Sequence, residues 1–158
     1  MRDSRRVRHV LVIGLGNPLL GDEGIGVQVV EELERLELPA GVTVVDGGTA
    51  GLRLIGLMEG YQRVVIVDAA DMGRPPGQVV RFTPAEVQFK TVEAPLSLHQ
   101  IGLGEVLNLA EALGVAPDEL VIIGVQPGRV EMGGELSPEV EGAIPHIIRI
   151  ILDELDAG

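Results

Sequence analysis

The chain has 158 residues and carries 24 Asp and Glu against 12 Lys and Arg, a formal net charge of -12 that argues against nucleic acid and anionic membrane surfaces as partners. It contains no cysteine, which excludes a disulfide, a thiolate nucleophile and a thiolate metal site and fits a reducing, cytoplasmic setting. Hydrophobic residues make up 46% of it with two Phe, one Tyr and no Trp, so the single domain expected over residues 1–158 must have an aliphatic core.

Residues 1–7 read as a solvated basic tail. Ser4-Arg5-Arg6 superficially suggests a twin-arginine export signal, but the apolar run behind it is short and ends in Gly16-Asn17-Pro18 without a small-residue cleavage site. No segment approaches the length of a membrane span.

HVLVIGLG is a short continuous apolar run, rich in Val and Ile, that predicts a fully buried strand. From Ile25 to Leu36 the pattern becomes helical, with Ile25, Val29, Leu33 and Leu36 at spacings of three and four. Between them lies GLGNPLLGDEGIG. Strand, glycine-rich turn and helix together open an α/β sheet whose ligands sit beyond the carboxyl ends of the strands. The turn is not a dinucleotide fingerprint: Leu19 stands where the third glycine belongs, and Asp22 and Glu23 occupy the helix N-terminus that would have to face a pyrophosphate. One of the two acids is expected to cap the helix. Two within so glycine-rich a loop mark at least one as a site residue.

VTVVDGGTAG predicts a second strand at about 42–46, closed by Asp46 and a glycine turn, with Thr49 placed to cap a short helix. RVVIVDAAD predicts a third strand over 63–67 that again ends in a carboxylate, Asp68. Pro75-Pro76-Gly77 turns into QVVRF, a short strand expected at the sheet edge and antiparallel, because so little chain separates it from the third. Residues 83–99 are poorly patterned and carry Ser97 and His99. A helix is expected over roughly 100–113, ended by Gly114, and ELVIIGVQP gives the last buried strand, 119–125. Ser137-Pro138-Glu139 starts the final helix with an N-cap and a proline at its first position; Pro145 inside it should kink or break it.

The fold class is therefore α/β: a three-layer α/β/α sandwich on a mostly parallel sheet of about five strands with one antiparallel edge strand. Parallel neighbours would bring the strand ends to one edge of the sheet. Glu23, Asp68 and His99 then form a set of two carboxylates and one imidazole suited to a divalent transition metal with open positions. None of the three lies within a helical turn of another, and singly Asp68 could cap a turn and His99 could be a surface residue.

In this order and at these intervals, GLGNPLLGDEGIG, VVDGGTAG, VIVDAADMGRPPG, SLHQIGL and IIGVQP resemble the nickel-iron hydrogenase maturation endopeptidases. The resemblance runs from about Val10 to the final helix. It implies a protease that removes a C-terminal extension from the hydrogenase large-subunit precursor once nickel has been inserted. The family's metal-contacting acid falls on Glu23, its aspartate on Asp68 and its histidine on His99; the turn at Asp46–Thr49 is expected to shape the substrate cleft. Nickel would be carried by the substrate precursor, positioning the scissile bond and polarising its carbonyl or a water. Ser4, Ser97 and Ser137 form no triad, and Asp71 is the spare carboxylate for a general base, set against a role as a solvated turn residue. Asp68 and Asp71 would carry an aspartate-centred mechanism should cleavage prove independent of metal. Two other readings stand beside this: a non-catalytic nickel-sensing assembly factor, and a small-molecule or nucleotide-binding α/β protein, which the acidic first turn disfavours.

Overall fold

The computed structural model describes residues 8–49, 51–86 and 98–156, with the side chains of 98–102 outside the description. Its elements run β1 (Val10–Leu15), a 3-10 turn (Gly21–Gly24), α1 (Ile25–Glu34), β2 (Val42–Gly48), α2 (Arg53–Met58), β3 (Arg63–Ala69), β4 (Val79–Phe82), α3 (Leu98–Ala112), β5 (Glu119–Val125), α4 (Pro138–Glu141) and α5 (Ile144–Asp156). The expected strands are all present. No helix of the described residues is long and apolar enough to cross a membrane.

The five strands form one sheet in the order β2-β1-β3-β5-β4. The first four are parallel, and β4 is the antiparallel edge. Its partner is β5 rather than the neighbouring β3: the last strand inserts between them, so the short connection after β3 spans a strand instead of closing a hairpin. β1 and β3 are buried at every position, as continuous apolar runs require when both sheet faces are covered. β2, at the opposite edge, is only half-buried.

Alternate residues of each strand feed two separate aliphatic cores. On one face Val12, Val65, Val67, Ile123 and Val125 pack with Ile25, Val29 and Leu33 of α1 and Ile147 and Ile151 of α5. On the other, Leu11, Ile13, Val64, Ile66 and Ile122 pack with Leu54 and Met58 of α2 and Leu103, Val106, Leu107 and Ala110 of α3. These are the three layers of the sandwich.

Three local expectations are adjusted. Leu36 lies beyond the end of α1 and is 44% exposed, so the apolar stripe stops at Leu33. Thr49 does not cap α2, which begins at Arg53 with Leu52 at the N-cap and no side-chain cap. The final helix is split into α4 and α5 at Gly142-Ala143. Pro145 has no N–H to give to the carbonyl of Glu141 four residues back, so a continuous helix through this point would lack that bond.

Candidate active site at the carboxyl edge of the sheet

β1 and β3 are neighbours, yet the chain leaves β1 towards β2 on one side and returns to β3 on the other. The crevice between their carboxyl ends is the switch point at which open α/β sheets bind ligands. The residues there decide what the crevice can hold.

The glycines of the first turn serve close packing. A Cβ on Gly14 would stand 2.1 Å from the carbonyl oxygen of Gly26, so the start of α1 lies directly on β1. Gly16, with φ +130°, receives the end of β2 through its amide, which donates to the Gly48 carbonyl at 2.8 Å. An added Cβ on Gly16 would lie 1.9 Å from the carbonyl oxygen of Glu23 and 3.9 Å from Oδ1 of Asp68. Gly16 is thus the point at which the turn bearing Glu23, the end of β3 bearing Asp68 and the end of β2 come together.

Glu23 sits half-buried in the 3-10 turn. Asp68 is the penultimate residue of β3, only 2% exposed, opposite Gly124 of β5. A carboxylate at that depth is not a solvated turn residue. The backbone of Glu23 and the side chain of Asp68, two of the three expected metal-contacting residues, thus both lie beside Gly16. His99 falls in the first turn of α3, and its side chain, like Ser97, lies outside the described residues. Among the described residues no three His, Cys, Asp or Glu side chains are gathered as a metal site.

Asp22 caps nothing: neither the 3-10 turn nor α1 has a side-chain cap. It is fully buried and reaches across the molecule to the segment after β5. Its Oδ2 accepts from the amides of Gly128 and Arg129 and from the Ser137 hydroxyl, and its Oδ1 from the Ser137 amide, all at 2.7 Å. Burial pushes its pKa up, but the donations from Arg129, Ser137 and Gly128 outweigh that and hold the carboxyl below the ordinary aspartate range. Ser137 does occupy the N-cap position of α4, ahead of Pro138, but spends its hydroxyl on Asp22.

Asp71 is exposed on the loop after β3, where its Oδ1 accepts from the Gly73 amide and from Gln126 Nε2, each at 3.2 Å. Gln126 was not singled out by sequence reasoning. It is buried at the end of β5, and its Oε1 accepts from the amides of Met72 at 2.7 Å and Arg74 at 3.2 Å, so it shapes the loop that carries Asp71. The available signal was a polar residue ending an apolar strand and followed by proline. Asp46 is exposed and accepts from the Gly48 amide at 2.9 Å, closing its own turn.

The comparisons with known proteins agree with this architecture. A profile described as hydrogenase maturation protease matches residues 27–154. The chain is 42% identical to the hydrogenase expression/formation protein HupD of Bradyrhizobium diazoefficiens over 91% of this chain and 76% of that one. It is 38% identical to the hydrogenase 2 maturation protease of Escherichia coli over 93% of this chain and 90% of that one. Among solved structures, the hydrogenase maturating endopeptidase HybD from E. coli superposes with a TM-score of 0.86 at 37% identity, covering 94% of this chain and 92% of that one. The [NiFe] hydrogenase maturation protease HybD from Thermococcus kodakarensis superposes at 0.75 with 31% identity, covering 93% and 99%. A family profile over residues 27–154 and relatives about 40% identical along most of both chains make this protein a member of the hydrogenase maturation protease family.

Proposed function

We propose that this protein, acting as a single cytoplasmic domain, cleaves the C-terminal extension from a nickel-iron hydrogenase large-subunit precursor after nickel insertion, and that it reads the nickel held by that precursor. The observation that supports the reading is that the backbone of Glu23 and the carboxylate of buried Asp68 both lie beside Gly16 at the carboxyl end of β1. Carboxylates and imidazole are ligands for a divalent ion such as nickel, and an ion belonging to the substrate needs no closed site in the enzyme. Glu23, Asp68 and His99 would grip the precursor's nickel and so place the scissile bond beside them. The ion supplies polarisation of the carbonyl or of the attacking water. Asp71, on the loop after β3, would take the water's proton and return it to the leaving amine as the C–N bond breaks.

The test is to mix the protein with nickel-loaded and nickel-free precursor and look for the shortened product. Cleavage of the loaded form alone is expected. Efficient cleavage of metal-free precursor under chelator would replace nickel reading by an aspartate-centred mechanism using Asp68 and Asp71. Binding of the loaded precursor without any cleavage would make the protein a nickel-sensing assembly factor.

A further inference from the structure

The acid next to Glu23 has no place in the mechanism above, yet its carboxylate accepts four hydrogen bonds. Asp22 is fully buried, and its four donors come from one stretch, Gly128 to Ser137, that links β5 to α4. The backbone repeats the connection: the Asp22 amide donates to the Arg129 carbonyl at 2.7 Å, and the Gly133 amide to the Leu19 carbonyl at 3.3 Å. Gly21, at φ +54°, is packed so closely that an added Cβ would lie 2.5 Å from the Arg129 carbonyl oxygen. On its other side the turn is boxed by Gly16, which leaves 1.9 Å between a Cβ and the Glu23 carbonyl oxygen. The peptide that carries Glu23 is therefore held between two fixed surfaces, and Asp22 is the bolt on one of them.

We infer that Asp22 is a positioning residue: it locks the 128–137 segment to the 3-10 turn and thereby sets where the Glu23 carboxylate stands for the incoming precursor. The inference rests on the reading of Glu23 as a substrate-gripping residue. A carboxylate is suited to the task because it only accepts, whereas all four of its partners donate. Asparagine has the same shape but one acceptor oxygen. With that oxygen in the Oδ2 position, its NH2 would face the Ser137 amide, donor against donor. Ser137→Ala is milder, removing the hydroxyl donor and leaving the three amides in place.

Two measurements test this. In steady-state processing of nickel-loaded precursor, well below the melting temperature, a role confined to stability lowers the apparent kcat through loss of folded enzyme and leaves KM unchanged. A positioning role raises KM. Asp22→Asn should raise KM and lower kcat/KM on the order of 10- to 100-fold, since a misplacement of about 1 Å can cost about 100-fold in rate; Ser137→Ala should have the smaller effect. Should Asp22→Asn fail to fold, Ser137→Ala decides. Wild-type KM in the folded variants overturns the inference. The second measurement needs no activity: amide hydrogen exchange in the same variants should show Glu23 and Gly24 losing protection together with Gly128 and Arg129, while the amides of β3 keep theirs. If the wild-type protein processes no precursor, the proposed function falls, and exchange alone decides the coupling: unchanged protection at Glu23 and Gly24 overturns it.

Discussion

Arg63, at the start of β3, and Glu154, on α5, form an ion pair whose side chains are only 6% and 8% exposed. Arg81 of β4 joins the same carboxylate from its other oxygen. A buried pair contributes little net stability, but removing one partner leaves an uncompensated charge, which costs about 3–5 kcal/mol. Glu119 stands 3.7 Å from Arg63 and offers partial compensation. Glu154→Gln is therefore expected at the lower end of that range in urea unfolding. Arg63→Met combined with Glu154→Leu should recover most of the loss, because no charge is left buried without its partner. Both variants should process precursor at the normal rate per folded molecule, since this cluster lies at the amino end of β3 and the candidate site at the carboxyl end.

The same carboxylate sets a pH dependence. Burial pushes the Glu154 pKa up, but the hydrogen bond and charge of Arg81 and the charge of Arg63 outweigh it and hold the group below the ordinary glutamate value. The folded pKa is thus lower than the unfolded one. Its stabilisation is fully present above about pH 4.3, the reference value, and is lost as pH falls through the lower folded pKa, because there the unfolded chain binds more protons. Unfolding free energies measured from pH 6 down to the acid transition should fall less steeply for Glu154→Gln than for wild type. Parallel curves would show that the pair does not determine acid stability.

A third expectation concerns the meeting point of the site. Gly16→Ala places a Cβ 1.9 Å from the Glu23 carbonyl oxygen, so the turn must move. Gly60→Ala is the control: its φ is +89°, but nothing lies within 4 Å of an added Cβ, so only backbone strain of about 1–2 kcal/mol is paid. Gly16→Ala should lose processing of the precursor even per folded molecule, while Gly60→Ala, with the smaller loss of melting temperature, keeps it. Equal processing by both would remove Gly16 from the architecture of the site.

The parts of this molecule legible in sequence are those governed by local pattern. β1 and β3 announce themselves because a strand covered on both faces needs an unbroken apolar run, and Pro138 after Ser137 marks the start of α4 because only a first-turn position tolerates proline there. Asp68 was legible as the carboxylate ending such a strand. What pattern does not carry is the pairing of distant segments. That β4 pairs with β5 and not β3 depends on an insertion some forty positions later, and the four donors of Asp22 lie more than a hundred residues downstream. Local pattern therefore offers helix capping for one of the two acids, Asp22 or Glu23, and does not single out Gln126. Glycine at 16 was visible as a turn residue, but its closeness to Glu23 and Asp68 is a property of the assembled sheet.

The last expectation isolates the proton acceptor. Asp71→Asn keeps an oxygen where Oδ1 accepts from the Gly73 amide and Gln126 Nε2, so the loop geometry and its support from Gln126 survive the substitution. What disappears is the negative charge and the ability to take a proton from water. If Asp71 is the general base proposed above, it should be worth about 100- to 10,000-fold in kcat, the usual contribution of a positioned base, with KM for nickel-loaded precursor nearly unchanged because the proposal assigns the grip on the ion to Glu23, Asp68 and His99. Gln126→Ala provides the complementary case: it leaves the Asp71 carboxylate in place but frees the loop from Met72 to Arg74, which loses two donated amide bonds. Its kcat should fall less than that of Asp71→Asn. Single-turnover processing at saturating precursor separates the two. A wild-type rate for Asp71→Asn would assign Asp71 to its turn alone and leave the water to be activated by the substrate's nickel.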